Sequence, residues 1–253
     1  MDICVNGAAG RMGRLVVKNA VEANHKVVQA FDVREIGKDA GELAGIGKIG
    51  TLIQEMGDLD CDVAIDFSVP EATVELVKLA LKSNTKLVIG TTGLNDEQKK
   101  VIEEASRKIP IVMSPNFSVG VNVFWKILEV ASKLLKEYDV EIVEVHHRFK
   151  RDAPSGTALK AAEIVKNELG VEKLVFGRSG ECLRGDEIGV MAIRGGDVVG
   201  EHFVMFIGFG ERIEINHRAW SREIFARGAI KAAEWIMNVD KPGLYGMKDV
   251  LGV

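Results

Sequence analysis

The sequence predicts an α/β chain: a doubly wound parallel sheet, joined to an inserted α+β region with an open mixed sheet, mostly antiparallel. Three observations carry this expectation. The first half alternates short apolar runs with helical patterns, the second half holds longer strand patterns rich in β-branched residues, and a last amphipathic helix pattern follows from Ser221 to Met237.

In order, Ile3-Cys4-Val5, Val27-Val28-Gln29-Ala30-Phe31, Val63-Ala64-Ile65-Asp66-Phe67, Leu87-Val88-Ile89 and Ile111-Val112-Met113 read as strands buried on both faces, with helices between most of them. Val140 to His146, Ile188 to Arg194, Val198 to Ile207 and Arg212 to His217 read as the second sheet, its strands joined mostly by short polar turns. The final helix is expected to rejoin the first domain. The chain therefore divides into residues 1–118 with 221–253, and residues 119–220. No repeat, low-complexity tract or Pro/Ser-rich linker is visible, so the hinges are short.

Composition excludes several classes. With 253 residues, 47% hydrophobic and 28% charged, the chain is neither disordered nor fibrous. A formal net charge of -4 offers no global basic field for nucleic acid or an anionic membrane, so an anionic ligand needs a local basic cluster. The longest apolar run, Phe203 to Phe209, is far short of the ~20 residues of a membrane span. The N-terminus lacks the basic region of a signal peptide, and the 3 cysteines, Cys4, Cys61 and Cys182, have no partner at metal-ligand spacing. They read as reduced, buried thiols in a cytoplasmic protein with no metal site.

The chemistry lies in loops. Gly7-Ala8-Ala9-Gly10-Arg11-Met12-Gly13 follows the first strand and opens a helix from about Arg11 to Ala23. Glycines there let the backbone approach a pyrophosphate, and the helix N-terminus supplies free N–H groups. Asp32 ends the second strand, where a carboxylate accepts from an adenosine ribose. Together they predict dinucleotide binding. Gly90-Thr91-Thr92-Gly93 and Ser114-Pro115-Asn116-Phe117 follow two further strands at the same carboxyl edge of the sheet, which predicts a nicotinamide pocket.

The densest constellation is His146-His147-Arg148-Phe149-Lys150-Arg151-Asp152-Ala153-Pro154-Ser155-Gly156-Thr157. It holds the cation cluster that an acidic protein needs for a carboxylate, and it leads into a helix start whose amides face an anion. If extended, it places His146, Arg148 and Lys150 on one face and His147 on the other, so a bend must precede any site that uses both histidines.

These segments, together with DAGELAG at 39–45, IDFSVPEAT at 65–73, RGGDVVGEH at 194–202 and GMKDVLG at 246–252, form an ordered series resembling the dihydrodipicolinate reductases of lysine and diaminopimelate biosynthesis. The resemblance implies hydride transfer from NADH and/or NADPH to a small dicarboxylate heterocycle. It implies proton transfer by His146 and Lys150, and substrate binding by His147 and the Gly156 and Thr157 amides; the helix start adds the Ser155 amide to the donors expected for the dicarboxylate. Gly7, Ala8, Ala9, Gly10, Arg11, Met12, Asp32, Gly90, Thr91, Thr92, Ser114, Pro115, Asn116 and Phe117 would hold the cofactor. It also implies a homotetramer built on the inserted sheet. Phe149 departs from the family pattern, which has a polar residue or histidine there in many members.

The chemistry fits these residue types. The reduced ring must be protonated by a nearby acid: lysine serves when cationic neighbours such as Arg148 and Arg151 lower its pKa, and histidine titrates near neutrality. Val33 and Val69 stand where members favouring the phosphorylated cofactor carry arginines, and Arg34 follows one position later, so dual use with NADH preferred or equal is expected. Another imine or amino-acid dehydrogenase, and a dinucleotide-binding redox sensor, are the competing readings; the sensor would need a DNA-binding element that the sequence lacks.

Overall fold

The computed structural model describes residues 1–253. The chain forms two units, Met1–Val119 with Arg222–Val253, and Gly120–Ser221.

The first unit begins with β1 (Asp2–Asn6), α1 (Arg11–Glu22) and β2 (Lys26–Phe31), followed by a short α2 (Ala40–Leu43) and β3 (Ile53–Gln54). Then come β4 (Val63–Asp66), α3 (Pro70–Ser83), β5 (Lys86–Ile89), α4 (Asp96–Ser106) and β6 (Pro110–Met113). Local chemistry sets the helix ends. Pro70 opens α3 with its φ preset, Asn84 closes it in the left-handed region, and α4 starts with a reciprocal Asn95–Gln98 capping box. Asp39 caps α2 and also accepts from the Ile49 and Gly50 amides, which fixes the loop behind it.

The second unit holds α5 (Val119–Leu134, whose first residue still belongs to the first unit), β7 (Asp139–His146), α6 (Gly156–Leu169), β8 (Lys173–Val175), β9 (Glu187–Arg194), β10 (Gly200–Ile207) and β11 (Arg212–Ala219). The chain then returns to the first unit for α7 (Glu223–Met237), β12 (Gly243–Tyr245) and α8 (Met247–Leu251).

The first sheet runs β12-β6-β5-β4-β1-β2-β3, all pairings parallel, so the carboxyl ends of its strands share one edge. Its central strands are buried on both faces, as their continuous apolar runs require. One core cluster packs α1 and α7 on the sheet through Val16, Val17, Ala229 and Ala233; the other lies under Leu76, Val77 and Ile102 of α3 and α4.

The second sheet runs β11-β10-β7-β9-β8. Its strand directions correct the expectation of a mostly antiparallel sheet: β11-β10 and β10-β7 are antiparallel, whereas β7-β9 and β9-β8 are parallel. The physical reason is the connection. A parallel neighbour needs a crossover, and α6 supplies it between β7 and β9 in place of a short turn. Val140, Ile142, Ile188, Val190, Val204 and Phe206 face α5 and α6 in a buried core.

Short elements escaped the sequence reading. β3, β8 and β12 have two or three residues, too few for any period to show. The expectation of three buried thiols also needs correction: Cys4 is buried, Cys61 is half-buried and Cys182 is exposed, all three free. The odd one lies in the loop between β8 and β9, where no packing partner covers it.

Candidate active site

At the carboxyl edge of the first sheet, Gly7 takes φ +78°, and a side chain there would collide with the Phe67 carbonyl. Gly13 lies so close to the Gly7 carbonyl that no Cβ fits. The turn is tied to the neighbouring strand by the Gly7 and Ala8 amides, which donate to the Phe31 carbonyl at 2.8 and 3.0 Å. Helices α2, α4 and α6 carry side-chain caps, whereas α1, α3 and α7 start with none; of these α1 is the one that opens on the glycine turn, at Gly10. Its first-turn amides, including those of Arg11 and Met12, thus meet no side-chain cap, the condition under which a helix N-terminus can take an anion.

Asp32 accepts from the Ala9 amide at 3.0 Å through one oxygen, and from the Arg34 amide at 3.0 Å and Nε at 3.4 Å through the other. It lines a cavity of about 420 Å³ together with Gly7, Val33, Arg34, Phe67 and Val69. Arg34 also borders a hollow shared with Ala9, Gly10, Arg11 and Arg14, so three guanidinium groups gather beside the turn. An adjoining cavity of about 320 Å³ brings Arg11 and Met12 together with Phe67, Gly90, Pro115, Asn116 and Phe117. The turn, the Gly90 loop and the Ser114 loop thus border connected ground within this one unit.

The loops themselves are held from below by Asp66, which is fully buried at the end of β4. Its Oδ1 accepts from Asn6 Nδ2 at 2.8 Å and Ser68 Oγ at 2.5 Å, and its Oδ2 from Thr73 Oγ1 at 2.5 Å and Thr91 Oγ1 at 2.8 Å. Burial raises its pKa, while these donors oppose the shift. Thr91 therefore turns its hydroxyl inward and offers only its backbone to a ligand, whereas Thr92 is exposed. Ser114 likewise spends its hydroxyl on its own loop, donating to the Asn116 carbonyl at 2.8 Å, and Asn116 Oδ1 accepts from the Ser118 amide at 2.9 Å.

In the second unit the register decides which side chains meet. His202 pairs across from both Glu144 and His217, and His146 lies beside Arg194. The face that is apolar at Ile142, Val204 and Phe206 thus becomes polar at one end, with Glu144, His146 and His202 all buried. The chain then bends after His146, as a site using both histidines requires: the Lys150 amide donates to the His147 carbonyl at 3.1 Å, and the His147 amide to Val198 at 2.7 Å. Lys150 Nζ donates to both oxygens of Asp152 at 2.8 Å, which holds the Asp152 carboxyl below its ordinary pKa. The charge that Lys150 meets is this carboxylate, not the exposed Arg148 and Arg151 expected from sequence. Arg148 instead lies over the ring of the exposed Phe149.

Ser155 caps α6, its Oγ accepting from the Ala158 amide at 3.2 Å and meeting His202 Nε2 at 3.0 Å. Gly156 and Thr157 form the first turn behind it. Burial, reinforced by the charges of His146 and His217, pushes His202 down to about 3, so it is neutral at physiological pH. Burial lowers His146 as well, against the opposing pull of Glu144. The basic run, the helix N-cap and His146 are thus gathered within one unit.

Sequence reasoning missed Asp66, Glu144, Arg194 and His202. The signal for Glu144 was its place between Ile142 and His146 at strand spacing; Arg194 and His202 lay inside a quoted motif without an assigned part.

Comparison with known proteins agrees with this fold. The family model described as dihydrodipicolinate reductase, N-terminus, matches residues 1–117, and its C-terminus counterpart matches residues 120–251. A 4-hydroxy-tetrahydrodipicolinate reductase of Archaeoglobus fulgidus is 59% identical over 99% of this chain and 100% of its own length. The enzyme of that name from Methanosarcina mazei is 49% identical, with full coverage of both. The dipicolinate-bound dihydrodipicolinate reductase from Paenisporosarcina sp. TG-14 superposes with a TM-score of 0.78 at 26% identity, covering 98% of each chain. The chain belongs to the dihydrodipicolinate reductase family.

Proposed function

We propose that this enzyme reduces 4-hydroxy-tetrahydrodipicolinate to tetrahydrodipicolinate, a step of lysine and diaminopimelate biosynthesis, with NADH or NADPH as reductant. The observation that carries the reading is the second unit's combination of a histidine–lysine segment with a capped helix N-terminus, beside family membership over nearly the whole chain. Reduced nicotinamide dinucleotide, bound at the uncapped α1 turn and the Gly90 and Ser114 loops, supplies hydride. The test is oxidation of the reduced cofactor at 340 nm with the fresh condensation product of pyruvate and aspartate semialdehyde; no turnover with either cofactor overturns the assignment.

The residues divide the work as follows. The amides at Gly156 and Thr157, with His147, hold a substrate carboxylate, since a helix N-terminus favours an anion; the Ser155 amide is spent on Glu144 Oε1 at 2.9 Å, so Ser155 shapes this cradle rather than donating to the ligand as expected from sequence. Lys150 and His146 serve proton transfer: the electron pair displaced when hydride adds to the unsaturated ring takes up a proton from the Lys150 ammonium, His146 accepts a proton at its free ring nitrogen and passes it on, and loss of the 4-hydroxyl as water draws on the same acid. His146→Gln is accordingly expected to lower kcat with KM little changed, and His147→Gln to raise KM with kcat little changed. The reversed pattern in steady-state kinetics would mean that the two roles are exchanged.

Asp32 selects among dinucleotides. It accepts from ribose hydroxyls and repels a 2′-phosphate; the exposed Val33 and Val69 offer no counter-charge, and Arg34 does. We expect NADH to be preferred or equal to NADPH, and Arg34→Ala to reduce kcat/KM with NADPH more than with NADH. A wild-type preference for NADPH above ~100-fold, about 2.7 kcal/mol, would overturn this placement.

Assembly follows from the second sheet. Strand alternation puts Val143, Met191, Phe203 and Met205 on the face opposite α5 and α6, where nothing in this unit buries them fully. A homotetramer joined through that face covers them, and sedimentation reads its mass. No helix is long and apolar enough to cross a membrane, and free cysteines suit a reducing cytoplasm.

A further inference from the structure

Glu144 has no part in the roles above, yet it is a fully buried carboxylate beside the proton-transfer segment. A buried charge persists only where partners replace its water. Its Oε1 accepts from the Ser155 amide at 2.9 Å and Arg194 Nη2 at 2.8 Å; its Oε2 accepts from Arg194 Nη1 at 2.7 Å and is 2.6 Å from His146 Nδ1. Burial pushes the Glu144 pKa up, but Arg194, then His146 and the Ser155 amide, outweigh it and hold the pKa low, so the group is ionised.

An ionised carboxylate has no proton to donate, so the hydrogen of the 2.6 Å contact sits on His146 Nδ1. The neutral ring then carries its lone pair on Nε2, which lies over Gly200, where a Cβ would come within 2.9 Å of it. The other charged or titratable groups facing this ring are Arg194, Lys150 and His202. None of them is an acceptor matched to Nδ1.

We propose that Glu144 is the positioning residue for proton transfer: it fixes His146 as the Nδ1–H tautomer with Nε2 as the exchanging nitrogen, and through Ser155 it ties that ring to the anion-binding helix start. Arg194 completes the device, since its Nη2 also donates to the Asp152 carbonyl at 2.6 Å, beside the partner of Lys150. One carboxylate thereby sets the register of the histidine, the lysine segment and the cradle. The proposal rests on the proton-transfer role inferred for His146.

Glu144→Gln exposes the logic because it keeps shape and removes charge. The glutamine carbonyl remains opposite the Ser155 amide and Arg194 Nη2, two donors that only an acceptor can satisfy, so the NH₂ group turns to His146 and Nδ1 becomes an acceptor, while Arg194 Nη1 loses its partner. The expected result is a fall in kcat of about 10²-fold with KM within about threefold, since proton transfer loses its lone pair at Nε2 while the cradle keeps its bond. Imidazole ¹⁵N spectra, with the His146 resonances assigned by their loss in His146→Gln, should show protonated Nδ1 in the neutral wild-type ring and protonated Nε2 in Glu144→Gln. Glu144→Asp, which keeps the charge, should restore the Nδ1–H form and so separate this effect from a packing defect. An Nε2–H wild-type ring, or a kcat for Glu144→Gln within threefold of wild type, overturns the proposal. Full kcat in His146→Gln together with an Nδ1–H wild-type ring would instead overturn the role of His146, and with it the catalytic consequence of Glu144, while leaving the tautomer standing.

Discussion

Lys150→Ala is expected to lower kcat by about 10²- to 10⁴-fold, the usual cost of removing a general acid, and to leave the dissociation constant of the reduced dinucleotide unchanged. The split follows from where the groups sit. Lys150 belongs to the second unit, on the turn after β7, while the glycine turn, Asp32 and the Gly90 and Ser114 loops all belong to the first. Lys150 Nζ is held at 2.8 Å from both oxygens of Asp152, so its ammonium is aimed rather than free to sample solvent. Alanine removes the proton and the aim together. Steady-state kinetics and fluorescence titration of the reduced cofactor check both halves; an unchanged kcat would end the proton-donor role.

Much of this arrangement was legible in the sequence because backbone constraints leave marks in residue type. Gly7 and Gly13 are required where Phe67 and Gly7 carbonyls crowd any Cβ, and Ser155 stands where α6 needs a cap. The parallel sheet showed itself in apolar runs buried on both faces. What stayed hidden depends on pairing between distant segments. That Glu144 meets Arg194 follows from the parallel register of β7 with β9, and that register was unreadable once the second sheet was expected to be mostly antiparallel. Strand spacing did place Glu144 on the face of Ile142 and His146, but only the alignment of β10 closes that face with His202 and buries it. The same limit applies to Lys150: neighbours in sequence suggested cations around it, and the bend delivers Asp152.

Asp66→Ala is expected to destabilise the first unit by about 3 kcal/mol and to weaken cofactor binding at least tenfold. The carboxylate is the common acceptor for Asn6 at the end of β1, Ser68 before α3, Thr73 in the first turn of α3, and Thr91 on the loop after β5. Buried donors that lose their acceptor cost about 1–3 kcal/mol each, and water entering the space of the lost carboxyl recovers part of that sum, which sets the figure near 3. For a chain of this size about 3 kcal/mol corresponds to a fall in Tm of roughly 6–12 °C. The functional half rests on geometry rather than stability. Ser68 lines the cavity beside Asp32, its amide donates to Thr91 Oγ1 at 2.9 Å, and Gly90 borders the adjoining cavity, so releasing Asp66 frees both walls at once. Asp66→Asn retains one acceptor oxygen but sets an NH₂ against hydroxyl groups that can reverse their own hydrogens, so it should fall between alanine and wild type in both respects. Thermal melts with and without reduced cofactor, at a temperature well below each variant's Tm for the binding titration, separate the two effects. A variant that loses stability yet binds the dinucleotide as tightly as wild type would show that Asp66 supports the fold without shaping the cofactor site.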